Sequence, residues 1–314
     1  MISQAKSKNP MSSLPNLNVH MMERRITCMT VPSIVEAIHA ACVEGRKITV
    51  AHYNVHSFNL SMQLPWFYHF LQTSEIVNCD SVGILKAISY MGLNLPLDYR
   101  ASYTLMMPEM LSKCNQEALK VFLLGAKPEL LEAAVANLRK EYPNAEFAGH
   151  HGYFNQEDSR QNQAVIEKIN QFKPNILIVG MGMPIQEKWV YMNRGRLQVN
   201  AIMIGGAIID RIAGTVPDCP PLIANLGCEW LYRLLREPKR LAARYLLGNP
   251  AFVLNIALGK LHTPKLHVQP MQKIDSSSLE RDAQFSTLYV SSTPQNQDFA
   301  VDFAGKAYAS GVSS

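Results

Sequence analysis

An aspartate between an apolar run and a helical opening is the first residue of this chain that offers chemistry. Asp80 follows Ile76-Val77-Asn78-Cys79 and precedes Ser81-Val82-Gly83. A carboxylate at the end of a strand can take a proton from a substrate hydroxyl. The same aspartate can instead cap the next helix by accepting from its first free amides. Local sequence leaves both readings open. Glycines mark further strand-to-helix turns: Gly125 after Leu124, Gly180 and Gly182 in Val179-Gly180-Met181-Gly182-Met183-Pro184, and Gly205-Gly206 after Ile204. Turns of this kind let a phosphate approach the backbone at a helix N-terminus. The second is a partial GxGxxG, weak as a dinucleotide fingerprint because Ile185 stands in the third glycine's place. Gln186 and Glu187 then read either as ordinary helix surface or as an amide and a carboxylate turned back over a cleft.

Two histidine groups follow strands as well. His52, Asn54 and His56 form one, and His150-His151-Gly152-Tyr153 the other, where Tyr153 could stack on a base. Lone histidines are more often structural than catalytic, and neither group has the ligand spacing of a metal site. A basic stretch lies near the C-terminal end, GCEWLYRLLREPKRLAARY at 227–245. On one continuous helix Arg233, Arg236, Arg240 and Arg244 fall at steps of three or four, so they can share a face. Arginine grips phosphate oxygens through paired hydrogen bonds. The plainer reading is a solvated face of a surface helix.

These residues need a scaffold. Short apolar runs at 48–52, 76–79, 121–124, 146–149, 176–179 and 201–204 alternate with helical patterns such as 128–141, 158–172 and 186–197. Alternation of this kind predicts a Rossmann-like α/β fold, a mostly parallel sheet with helices on both faces. Ligands of such sheets bind at the carboxyl ends of the strands. Hydrophobic residues make up 47% of the 314, enough for a large core. Lys and Arg exceed Asp and Glu by only 30 to 25, and five of those bases lie in 233–244. So local an excess points to phosphate or a membrane surface and not to nucleic acid. The six cysteines show no CxxC spacing and read as reduced thiols of a cytosolic protein. No signal peptide is expected, and no apolar run reaches the roughly 18 residues that span a bilayer. The expected layout is a flexible arm over 1–25, the α/β core over 26–226, a basic amphipathic helical appendage over 227–262, and a polar, disordered or loosely attached tail over 263–314.

In order along about residues 25–247, these segments resemble the WecG/TagA/CpsF glycosyltransferases (glycosyltransferase family 26). The matching pieces are Asn54, Cys79-Asp80-Ser81-Val82-Gly83, Arg100, Val121 to Gly125, Gly149 to Phe154, and Gly180 to Glu187. Gly205-Gly206-Ala207 with Asp210 and Ala213-Gly214, and Glu229 to Tyr245, complete the series. The resemblance implies inverting, metal-independent transfer, with no cofactor, from a UDP-sugar of N-acetylmannosamine or related type. The acceptor would be a polyprenyl-pyrophosphate-linked saccharide of cell-surface polysaccharide assembly. It implies Asp80 as general base, with Arg100 and Gln186 on the diphosphate or acceptor sugar. Asp210 and Tyr153 would hold the uridine, and Arg233, Arg236, Arg240 and Arg244 the acceptor's pyrophosphate. His52, Asn54, Gly125, Gly180, Gly182 and Glu187 would complete the substrate-binding set. A cytoplasmic protein attached peripherally to the inner face of the plasma membrane follows, with room for a homo-oligomer. The chain departs from the family pattern at His52 (usually Thr), Ser81 (Gly), Tyr103 and Leu105 (Gly and Asp), Asp218-Cys219-Pro220 (R-A-P) and Ala243 (Arg). Two other readings are a nucleotide-sugar-binding relative without turnover and a nicotinamide oxidoreductase. The broken GxGxxG disfavours the second.

Overall fold

The computed structural model describes residues 14–217, 219–262 and 266–271. A hairpin of β1 (Leu17–Met21) and β2 (Arg24–Cys28) leads into α1 (Val31–Val43), whose N-cap Thr30 accepts from the Ser33 amide. Next come β3 (Ile48–Tyr53), α2 (Val55–Gln63), α3 (Pro65–Thr73), β4 (Ile76–Cys79) and α4 (Val82–Tyr90). After α5 (Tyr103–Gln116) the pattern is regular: β5 (Lys120–Gly125), α6 (Pro128–Glu141), β6 (Glu146–His150), α7 (Ser159–Phe172), β7 (Ile176–Gly180), α8 (Ile185–Asn193), β8 (Ala201–Ile204) and α9 (Ile208–Ile212). The C-terminal part is helical: α10 (Pro221–Asn225), α11 (Glu229–Arg236), α12 (Pro238–Ala242), a π-helical turn (Ala243–Leu247) and α13 (Gly248–His262). It ends in β9 (His267–Pro270).

The described strands form one sheet in the order β6-β5-β7-β8-β3-β4-β2-β1-β9. From β6 to β2 all pairings are parallel, while β1 runs antiparallel to both β2 and β9. Period-two alternation divides the core between the faces. On β5, Phe122 and Leu124 pack with Phe58, Phe70, Ile84 and Trp189, whereas Val121 and Leu123 pack with Ile34, Met106, Leu131 and Ile209. Burial on both sides explains why β3, β4, β7 and β8 read as near-continuous apolar runs. The chain goes from β4 across to β5 on the far side of β8, so the strand order reverses between β3 and β8. Crevices at such reversals are where open α/β sheets bind ligands.

Three expectations need correction. Residues 17–25 are not an arm: β1 buries Val19 and Met21 completely and pairs with β2 across a two-residue turn. That turn holds Met22 and Glu23 at positive φ, without the Asn-Gly signature that announces such hairpins. Part of the expected tail is ordered too, because β9 covers the outer edge of β1; residues 263–265 and 272–314 lie outside the described residues. Finally, residues 238–262 form one continuous helix, long and apolar enough by length and composition to cross a membrane. The apolar stretch looked shorter in sequence because Lys239, Arg240 and Arg244 interrupt it.

Candidate functional site

Asp80 stands just beyond the carboxyl end of β4, and it is not the helix cap. Ser81 caps α4, its side chain accepting from the Ile84 amide. The Asp80 amide donates to the Tyr53 carbonyl at 2.9 Å, which fixes the backbone at the end of β3. Its carboxylate is therefore unburdened by capping and receives the Asn54 Nδ2 at 3.4 Å. Asn54 is itself held rigidly. Its Oδ1 accepts from the Ser57 amide at 3.0 Å, and Ser57 Oγ accepts from the Asn54 amide at 2.7 Å, a reciprocal capping box at the start of α2. Asn54 thus orients Asp80 from a locked position.

His52, at the end of β3, is buried beside them and meets the Tyr103 ring edge-on at 5.2 Å. Tyr103 donates its hydroxyl to the Val50 carbonyl at 3.0 Å. Two positions where the chain departs from the family pattern thus touch. Burial, reinforced by Arg244 and opposed by Asp80, pushes the His52 pKa down. Burial and Arg244 bring His56 to about 3. Both imidazoles are neutral at physiological pH.

The glycine turns meet on the other side of the crevice. Gly125 and Gly180 are register partners, and a Cβ on Gly125 would lie 2.1 Å from the Gly180 carbonyl oxygen. Gly125 also takes a positive φ of 153°. Only glycine fits there. Gln186 is 1% exposed, and its Oε1 accepts from both the Gly182 amide (3.2 Å) and the Gly206 amide (3.1 Å). Its side chain ties the turn after β7 to the turn after β8, and its Nε2 donates to Glu187 Oε1 at 2.9 Å. The amide expected over the cleft is engaged inside the protein. Glu187, equally buried, keeps Oε2 without a partner, and burial raises its pKa to about 7 against the hydrogen bond from Gln186 and the charge of Arg244.

The basic stretch does not present one face. Helix α11 ends at Arg236, with Glu237 as its C-cap, and α12 begins at Pro238, because proline has no N–H to continue the ladder but suits a first helical turn. The break sorts the arginines. Arg236 is exposed and stacks over Tyr232 at 5.0 Å, and Arg240 is exposed and paired with Glu237 at 2.6 Å. Arg244, on the π-helical turn, reaches inward: its Nε is inaccessible and unpartnered, and Asp80, His52 and Glu187 all feel its charge. Arg233 is intermediate in exposure and acts on Arg244 and Glu229.

Arg100 is buried, donating to the Ala224 carbonyl at 2.8 Å while its Nε lacks a partner. Asp210, on α9, is partly buried near the appendage; burial raises its pKa, opposed by Arg240 and supported by Glu237. Tyr153 is 56% exposed on the loop after β6. Sequence reading did not single out Glu229, which opens α11 and sits among Asp80, Arg233, Arg211 and Arg100; burial and Asp80 raise its pKa. Its signal was faint, an acidic residue in the first turn of a basic helix. Among the described residues no three His, Cys, Asp or Glu side chains gather closely enough to hold a metal ion.

Residues 19–266 match the Glycosyl transferase WecG/TagA/CpsF family. The chain is also similar to proteins named N-acetylglucosaminyldiphosphoundecaprenol N-acetyl-beta-D-mannosaminyltransferase from Staphylococcus aureus strains MW2, NCTC 8325 / PS 47 and COL. Each is 37% identical over 189 residues, which is 60% of this chain and 71% of the relative.

Proposed function

This chain belongs to the WecG/TagA/CpsF glycosyl transferase family, and on that premise we propose that it moves an N-acetylmannosamine-type sugar from UDP to a polyprenyl-diphosphate-linked saccharide. The transfer inverts the anomeric centre and needs no metal. The observation that carries this reading is Asp80, released from capping by Ser81 and aimed by Asn54 at the mouth of the strand reversal. Its carboxylate removes the proton of the acceptor hydroxyl as that oxygen attacks the anomeric carbon. The bond from that carbon to the UDP oxygen breaks, and UDP leaves with the electron pair. Arginine donors take the developing charge where other transferases use a cation. The relatives' name, with its diphosphoundecaprenol acceptor, supports the lipid-linked substrate and a place in cell-surface polysaccharide assembly.

The C-terminal helices bring this site to the membrane face. Helix α13 packs on the core through Phe252, Ile256 and Gly259, with Phe252 meeting Phe58 of α2 at 5.3 Å. Its other sides expose Val253, Leu254, Leu258 and Leu261, and Leu231, Leu235, Leu246 and Leu247 extend that apolar surface. Arg236, Lys239 and Arg240 lie exposed along the same segment. Apolar side chains beside bases suit peripheral binding to anionic lipid. The packing of Phe252 ties the helix to the protein body, so it lies on the bilayer instead of crossing it.

The test is transfer by the purified chain to a short-chain lipid diphosphate carrying N-acetylglucosamine. The donors to compare are UDP-N-acetylmannosamine, other UDP-hexoses and GDP-mannose, with and without EDTA. Transfer from a UDP-sugar that persists in EDTA is expected. Turnover from none of the donors would sink the reading, and activity lost to EDTA but restored by Mg²⁺ would sink its metal independence.

A further inference from the structure

Buried polar atoms without partners are rare in folded proteins, and each one asks for an explanation. Three occur together here: His52 Nδ1, Glu187 Oε2 and Arg244 Nε. His52 is 7% exposed and Glu187 1%. They arrive from three different elements, the end of β3, the first turn of α8 and the π-helical turn. Arg244 acts electrostatically on both of the others. Tyr103, in ring contact with His52, feels both Asp80 and Glu187. The three side chains therefore lie near enough to one another, beside Asp80, to interact electrostatically.

Their chemistry is mixed. Arg244 Nε can only donate, an ionised Glu187 Oε2 can only accept, and a neutral imidazole nitrogen does one or the other according to tautomer. Phosphate oxygens only accept, and the Asp80 carboxylate nearby, joined by Glu187 wherever it is ionised, opposes an anion. A sugar hydroxyl donates and accepts at once. An acetamido group offers an N–H to the carboxylate and a carbonyl to the guanidinium.

We propose that His52, Glu187 and Arg244 form a closed subsite for one uncharged hydrogen-bonding substituent of a sugar, a hydroxyl or acetamido group, and not for phosphate. Arg244 then serves the sugar, while Arg233 remains the candidate for phosphate. This rests on the glycosyl-transfer reading above.

Calorimetric titration of the full chain tests it with two pairs of probes. One pair is UDP and UDP-N-acetylmannosamine; the other is farnesyl diphosphate and its N-acetylglucosamine conjugate. His52→Ala and Glu187→Gln should each weaken the sugar-bearing member of one pair by about tenfold, the scale of one buried hydrogen bond. The sugar-free member should change by less than about twofold, and the affected pair identifies the sugar as donor or acceptor. Should His52→Ala fail to fold, the near-isosteric Glu187→Gln decides alone. Equal losses for sugar-bearing and sugar-free probes would make this a phosphate site and overturn the proposal, as would unchanged affinity for all four. A wild-type chain that binds none of the probes removes the transfer reading and the subsite with it. Wild-type binding with the wrong variant pattern removes the subsite only.

Discussion

Around Gly125 and Gly180 the carboxyl edge of the sheet is closed so tightly that backbone touches backbone, and Gln186 satisfies the amides of two turns. Around His52 and Asp80, a few strands away, side chains converge from β3, α8 and the C-terminal helices and leave polar atoms unanswered. The first region is complete as it stands, a rigid frame. The second is incomplete without something polar in it. Glycine turns, the louder signal in sequence, shape the crevice here, whereas the unanswered polar atoms belong to residues with little sequence signature.

The largest effect should come from the incomplete side. Asp80→Asn keeps the shape and the contact to Asn54 but removes the proposed base, so turnover should fall by roughly 10²–10⁴-fold with UDP affinity unchanged. Near-normal turnover would move the chemistry elsewhere. Phe252→Ala comes next. It deletes the ring that meets Phe58 and should cost about 3 kcal/mol in chemical denaturation; no loss would mean that the appendage is not seated on the core.

The third prediction concerns Glu187, whose pKa rises from an ordinary 4.5 to about 7 through burial. A carboxyl with a raised folded pKa favours the fold fully below the unfolded value, and that contribution is lost as pH climbs through the folded value. Glu187→Gln, which cannot ionise, should therefore gain on wild type between pH 4.5 and 7, by up to roughly 3 kcal/mol above that window. A flat difference across this range would show that Glu187 is solvated. The smallest effect belongs outside: Arg236→Ala should weaken binding to phosphatidylglycerol vesicles by about 1 kcal/mol and leave UDP affinity untouched. Equal loss of UDP binding would place Arg236 in the crevice after all.

Much of the fold was legible because buried parallel strands and amphipathic helices write periodic patterns. The strand expected at 48–52 extends to Tyr53, and that at 176–179 to Gly180. The strands at the antiparallel end of the sheet were not legible. LNVHM is too short and too polar on one side, and β9 is recognisable only through its pairing with β1. In the site, Asp80 and Asn54 were visible at strand ends, but that Ser81 and not Asp80 caps α4 was not. The arginine spacing suggested one face because helical arithmetic assumes an unbroken helix. Pro238 breaks it, and the direction of Arg244 is set by how α13 seats on α2, a tertiary matter.

The pairing of β9 with β1 has a consequence for how the protein comes into being. Strand β1 is made before every other described element, yet its outer edge is covered only by His267–Pro270, which emerge after all the others. Throughout translation the nascent sheet carries an open border of unpaired N–H and C=O groups, a template for joining another chain. Final closure requires a contact between distant parts of the chain, the kind that forms slowly. Nascent or truncated chains that lack residues 267–270 should self-associate through that border.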